Sequence, residues 1–310
     1  MSTVIKTNKT QSMKNNIMRW LYVVVCIVGA AFFAACSEDA EPQHKDAKSM
    51  PMTFTVKHPS QTRATETDFE KGDRIGLYVA DANKQMEIGG NLVNNEVLTY
   101  DGNVWTSVRP LYWDDGTFNV YAFYPRMDNV VSLDYQPFSV ALDQNTPRTA
   151  TALGGYEASD LLFASQKNVT ASDSPVALYF RHIMSKLRIR LVKGEDFEGE
   201  LPTKVKVYVH STITSAVVAI REGIVSYDPG YGRQSIIAHQ DDATSYSAII
   251  VPQNISTRMP FLEVEINGVS YFYESQFWYK SGVEHLVNLI ISKDPEQVKI
   301  EIGGEIKDWQ

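Results

Sequence analysis

Cysteine is scarce in this chain, with only Cys26 and Cys36 in 310 residues. Cys26 sits in a leader-like segment, so a matured chain keeps at most Cys36, and no disulfide within one chain is possible. Stability must then come from the apolar core. Basic charge is also short, with 29 Lys and Arg against 37 Asp and Glu. Residues 1–35 hold Lys6, Lys9, Lys14 and Arg19 and no acid, so the remainder carries 25 against 37, a balance of −12. A chain this acidic is repelled by phosphate backbones, which argues against a nucleic-acid partner. Helical stripes are missing after Cys36. Catalytic constellations are missing too. His44, His58, His182, His210, His239 and His285 stand alone without metal-ligand spacing. No G-x-S-x-G elbow and no phosphate-cradling glycine loop occurs. Asp114-Asp115 and Asp241-Asp242 fall at turn signals, where adjacent carboxylates rarely face each other across a cleft. Turn formation or a loose Ca²⁺ contact suits them better. The expectation is a protein that is not an enzyme and has no cofactor and no metal.

What is present begins at the N-terminus. Lys14 and Arg19 precede an apolar run from Trp20 to Ala35 that ends in small residues. This is the pattern of a secretory signal peptide, and the run is shorter than the ~20 residues a spanning helix needs. Met13 is as good a start as Met1, because Met13-Lys-Asn-Asn gives an ordinary signal-peptide opening. Phe33-Ala-Ala-Cys36 resembles the lipobox of bacterial lipoproteins, with Phe33 where that motif has Leu. The resemblance implies cleavage between Ala35 and Cys36 and lipidation of Cys36, whose several acyl chains suffice for stable anchoring in outer-membrane lipid. Ser37-Glu-Asp-Ala-Glu41 resembles the acidic export signal of some surface lipoproteins of Bacteroidales; residues 36–49 also read as an acidic, polar tether.

From Met52 onward the dominant period is two. Met52-Thr-Phe-Thr-Val-Lys, Arg74-Ile-Gly-Leu-Tyr-Val, Phe118-Asn-Val-Tyr-Ala-Phe-Tyr, Lys186-Leu-Arg-Ile-Arg-Leu-Val and His285-Leu-Val-Asn-Leu-Ile-Ile all alternate as half-buried strands do. Turn signals separate them, and Asn267-Gly268 between two alternating runs is the strongest hairpin signal. Many strands between turns indicate an all-β chain of sandwiches or barrels. About 275 mature residues favour two domains, divided at 50–174 and 175–310, near Asp173-Ser-Pro.

Several segments in fixed order resemble the fimbrillin family of Bacteroidales. They are Gln61-Thr-Arg-Ala-Thr with Phe69-Glu-Lys-Gly-Asp-Arg-Ile-Gly-Leu-Tyr78, Leu111-Tyr-Trp-Asp-Asp with Val120-Tyr-Ala-Phe-Tyr-Pro125, Leu178-Tyr-Phe-Arg-His-Ile-Met-Ser-Lys-Leu187, and the C-terminal Ile302-Gly-Gly-Glu-Ile-Lys-Asp-Trp309. The resemblance implies two stacked β-sandwich domains of transthyretin-like fold. It also implies a role in a surface fimbria or pilus, with other fimbrial subunits as partners and the cell surface as location. A lipoprotein precursor of that family is cut after a basic residue and loses its first strand, and a strand of another subunit fills the groove.

On this chain the released strand falls at Met52, Phe54 and Val56, and the cut between Arg63 and Ala64 in a polar loop, the kind of segment proteases favour. Lys57 and Lys71 compete for the cut. The donor strand is Val298, Ile300, Ile302, Ile306 and Trp309, unless those residues close their own domain as a hairpin. A different reading is a surface module that binds glycan or host protein. Its platform is Tyr271, Tyr273, Trp278 and Tyr279, although alternation divides that aromatic stretch between two faces.

Overall fold

The computed structural model describes residues 46–59, 68–292, 299–306 and 309. Period-two sequence becomes twenty strands in five sheets among these residues. Helical structure there amounts to a 3-10 turn at Ala47–Ser49 and one short helix at Gly155–Ser159.

The N-terminal half is built on an antiparallel six-stranded sheet. Its order is β4 (Trp105–Ser107), β3 (Val93–Tyr100), β2 (Arg74–Asp81), β5 (Thr117–Tyr124), β7 (Leu162–Thr170) and β9 (Arg181–His182). Alternation predicts one wet face for the central strands β2 and β5, but the structure buries both faces. Ile75, Leu77, Val79, Val120, Ala122 and Leu162 enter one core, while Tyr78, Ala80, Tyr121, Phe123 and Phe163 enter another. The reason is that two further layers cover the sheet. On one side lies a two-stranded parallel sheet of β1 (Phe54–Lys57) and β8 (Val176–Tyr179). The core on the other side includes Ala216 and Val218 of β12 (Ser215–Ala219), the middle strand between β13 (Ile224–Tyr227) and β6 (Gln136–Ser139). Gly76 marks how tightly this packs, since a Cβ there would lie 2.6 Å from the Phe123 ring. Val176, Leu178 and Phe180 still pack in the N-terminal core, beyond residue 174.

The C-terminal half is a sandwich of two sheets. One runs β14 (Arg233–Ile237), β11 (Val205–Ile213), β17 (Gln253–Ile266), β18 (Val269–Tyr279). The other runs β15 (His239–Gln240), β16 (Ser245–Ile250), β10 (Ser185–Lys193), β19 (Val283–Ile291), β20 (Lys299–Ile306). Val207, Val209, Leu262 and Val264 from the first meet Leu187, Ile189, Val287 and Leu289 from the second in one core. Asn267-Gly268 forms the β17–β18 hairpin as its sequence predicts. Both residues have positive φ, +51° and +83°, the signature of a type I′ turn whose twist matches its strands.

At the sheet's centre, β10 and β19 pair in parallel over nine residues, which sets Lys186 directly beside Glu284. Their side chains are 1% and 8% exposed and lie 3.3 Å apart.

Two glutamine side chains each bond a strand backbone in both directions. Gln144 donates to Ile249 O and accepts from Ile249 N, both at 2.7 Å, and so pins the weakly patterned stretch before the short helix. Gln253 bonds Ile213 in the same two-way manner at 2.9 Å.

Candidate functional site

The candidate site is the pair of seats occupied by the strands at the two ends of the described chain. At the N-terminal seat, β1 hydrogen-bonds in register with β8, from Phe54↔Val176 to Lys57↔Tyr179, and with no other named strand. Beyond the register, Val176 N donates to Thr53 O at 2.9 Å and Phe180 N donates to Lys57 O at 3.0 Å. Just upstream, Met52 N donates to Leu111 O at 2.8 Å, and Trp113 N donates to Met50 O at 3.0 Å. Met52 is buried, and the half-buried Phe54 and Val56 pack against the same core. The three residues read from sequence as a released strand thus plug one apolar face of the six-stranded sheet.

At the C-terminal seat, β20 lies antiparallel on β19 as the sheet's last strand. The segments around Gly303-Gly304 do not form a hairpin. They make one strand whose register shifts between Leu286↔Gly304 and Val287↔Ile302, so Gly303 is the extra residue of a bulge. Ile300, Ile302 and Ile306 are on this strand, whereas Val298 lies outside the described residues. Trp309 ends in a built slot. It is 6% exposed, stacked on the His182 ring at 3.8 Å and 9°, with Lys186 Nζ 5.6 Å from its ring centre. The slot is anchored from below, because His182 Nδ1 donates to Asp160 Oδ1 at 2.9 Å and the Lys186 ammonium pairs with Glu284, itself 3.2 Å from Arg188. Burial pushes the Lys186 ammonium down to about 8, against the attraction of Glu284. His182 stands alone in the sequence, which carries no signal that Trp309 sits on it.

Ala35, Cys36, Arg63 and Ala64 lie outside the described residues. Of the competing basic residues, Lys57 is exposed at the end of β1, and Lys71 occupies a tight turn closed by Asp73 N donating to Glu70 O at 2.9 Å. Beside this region is a cavity of about 270 Å³ lined by His58, Asp68, Asp73, Arg148, Glu157 and Asp160 among others. Asp73, buried at its wall, is neutralised by Arg148 Nη2 at 2.7 Å.

The proposed aromatic platform is dispersed. Tyr279 is fully buried and Tyr273 packs against the core. Tyr271 is half-buried, and Trp278 alone of the four is largely exposed, at 60%. Period-two geometry is the cause: Trp278 points outward with Phe272, and the tyrosines point the other way. Among the described residues, no group of three His, Cys, Asp or Glu is placed to hold a metal. Asp242 accepts from the backbone of Thr244 and Ser245, which holds its carboxyl below the usual range, and it serves the turn.

Five sheets and two packed cores define an all-β, multi-sheet sandwich protein. A profile of proteins described as fimbrillin-like matches residues 62–309, and the chain belongs to that family. The family places it among fimbrial proteins of the cell surface. Solved structures share the fold. A candidate cell adhesion protein of Bacteroides ovatus superposes with a TM-score of 0.64 at 19% identity, covering 84% of this chain and 97% of its own. One from Bacteroides uniformis gives 0.64 at 18%, covering 84% and 98%. A fimbrial protein of Bacteroides ovatus gives 0.50 at 16%, covering 80% of this chain and 49% of that one. No curated protein matches the sequence.

Proposed function

We propose that this chain is a subunit of a surface fibre, exported as a lipoprotein through Cys36 and assembled by strand exchange after a cut following Arg63. The observation that carries the reading is β1. It pairs with one four-residue strand, yet Met52, Phe54 and Val56 plug the apolar face beneath it. Losing it leaves an unsatisfied edge on β8 and an uncovered core, and an incoming strand with alternating apolar side chains remedies both. Val298-Lys-Ile-Glu-Ile302 carries that alternation, and it continues into the last strand of its own sheet. Partners are therefore other fimbrial subunits, with outer-membrane lipid before processing. The 50–174 and 175–310 division stays part of this proposal as a parsing of the chain into a receiving half and a donating half. Family membership and the adhesion assignment of the solved relatives support the surface role.

Incubation of the purified mature protein with an arginine-specific protease tests the reading. The expected result is a single cut after Arg63 followed by a ladder of oligomers that resists detergent, both abolished in Arg63→Ala. A clean cut without a ladder, or no cut near Arg63, refutes assembly by this route.

A second reading, a binding module for glycan or host protein, keeps only Trp278 of its four aromatics, joined by the exposed Phe272 on the same outer face.

A further inference from the structure

The two strand seats meet on one residue. His182 stacks face to face with Trp309, three positions past the end of β20. The same ring meets His58, the residue immediately after β1, edge-on at 5.9 Å and 78°. His58 in turn abuts Phe69 at 4.9 Å, and Phe69 contacts Trp105, Tyr124 and Phe180 within the N-terminal core. A continuous aromatic file thus runs from that core through His58 and His182 to Trp309. Asp160 fixes one nitrogen of His182, and its other nitrogen is buried with no hydrogen-bond partner among the described residues. The ring, fixed by one hydrogen bond, lies against two aromatic neighbours, one from each seat.

We propose that His182 is a latch that couples the two seats, so that the N-terminal strand in place holds the C-terminal strand on its own sheet. When the segment carrying His58 departs, one wall of the His182 ring is lost and water reaches its buried nitrogen. Trp309 then stacks on a ring free to turn. β20 frays from its terminal end, and the C-terminal segment becomes available to a neighbouring molecule. The latch gives the assembly an order, processing before donation, and restrains uncut subunits from donating early. That role rests on the strand-exchange reading above, but the coupling itself is a property of the single molecule.

Coupling of this kind is reciprocal, so each seat must report the loss of the other. The test is amide hydrogen exchange on the full mature chain and two variants. His58→Ala is expected to speed exchange in β20 by roughly three- to tenfold, the effect of losing one aromatic contact, while β16, across β10 in the same sheet, keeps its rate. Trp309→Ala is expected to speed exchange in β1 and β8 by a similar factor. Unchanged β20 rates in His58→Ala, or an equal rise in β16 that signals general destabilisation, overturns the latch. So does an unaltered β1 in Trp309→Ala. Because no readout involves polymer, a chain that shows the coupling but forms no ladder refutes strand exchange and leaves the latch standing.

Discussion

The strand at each end of the described chain lies on a sheet, but the two are held by different means. β1 offers a parallel pairing of four residues in a sheet of two strands, an arrangement that is marginal by its backbone bonds alone. Its hold comes from side chains sunk into the core beneath it. β20 offers seven residues in antiparallel pairing on a five-stranded sheet, and its hold comes from the ladder and from Trp309 in its slot. The contrast teaches that a strand can be detachable without being loosely packed. Few hydrogen bonds need to break for β1 to leave, while the apolar face it vacates supplies a strong incentive for replacement. β20 needs an additional release, which the His182 contact provides.

The sharpest way to break the comparison is to weaken the sheet under β20 instead of β20 itself. Glu284→Ala removes the carboxylate 3.3 Å from the buried Lys186 ammonium, and the expected loss is about 3–5 kcal/mol in urea unfolding. Replacing both residues with apolar ones of similar size, Lys186→Met with Glu284→Leu, is expected to recover most of that loss, because a buried pair is weak evidence of net stabilisation. If the single and double variants lose equally, the pair itself stabilises the sheet, and the C-terminal seat is electrostatic more than hydrophobic.

Next in size is Phe54→Ala. A fully buried Phe→Ala change costs about 3–5 kcal/mol, and the half-buried Phe54 should cost about half of that. Amide exchange should localise the loss to β1, β8 and the strands beneath them. A loss spread evenly over the C-terminal sandwich would mean that β1 is no separable plug.

How far these seats were legible in the sequence follows from what period two encodes. It marks strands and their faces, so β1, β2, β5, β10 and β19 and the Asn267-Gly268 hairpin are visible. It does not name a strand's neighbour, so the parallel pairings β1–β8 and β10–β19 were not. Lys186 looks like an outward residue of an alternating strand, and the β19 register that sets Glu284 beside it is not legible in that alternation. Gly303-Gly304 reads as a turn because glycine usually breaks strands; here Gly303 is a bulge within one strand. Gln144 bonds Ile237 through its backbone and Ile249 through its side chain, and alternation signals neither contact. Trp309 on His182 joins residues far apart in sequence, and neither residue type signals the other.

A smaller effect concerns pH. Burial lowers the folded pKa of Lys186 to about 8, below the ~10.4 of an unfolded lysine, so the unfolded chain holds that proton more tightly. Below about pH 8 the full penalty of a buried ammonium is present, and it is relieved as pH rises towards the unfolded value. Relative to Lys186→Met, the wild-type chain should gain about 1 kcal/mol of unfolding free energy between pH 8 and 9. Comparing the two proteins cancels the other groups that titrate there. A flat difference would mean that Lys186 is hydrated, and that the ground under the C-terminal seat is wetter than its 1% exposure states.

The smallest expected effect separates the two functional readings. Trp278 stands on the outer face of β18, with Lys280 Nζ 4.8 Å from its ring centre. Trp278→Ala should change stability by less than about 0.5 kcal/mol, since exposed side chains away from packed features carry little folding energy. It should also leave protease-triggered oligomers intact, because β18 pairs with neither β1 nor β20. In a glycan or host-protein binding assay the two readings diverge: a fibre subunit that works through its strand seats loses nothing, whereas a binding module built on exposed aromatics loses most of its affinity. Phe272→Ala, changed together with Trp278, extends the test along the same face. A combined variant that assembles normally but no longer binds would place adhesion on β18 and leave polymer building to the chain's two ends.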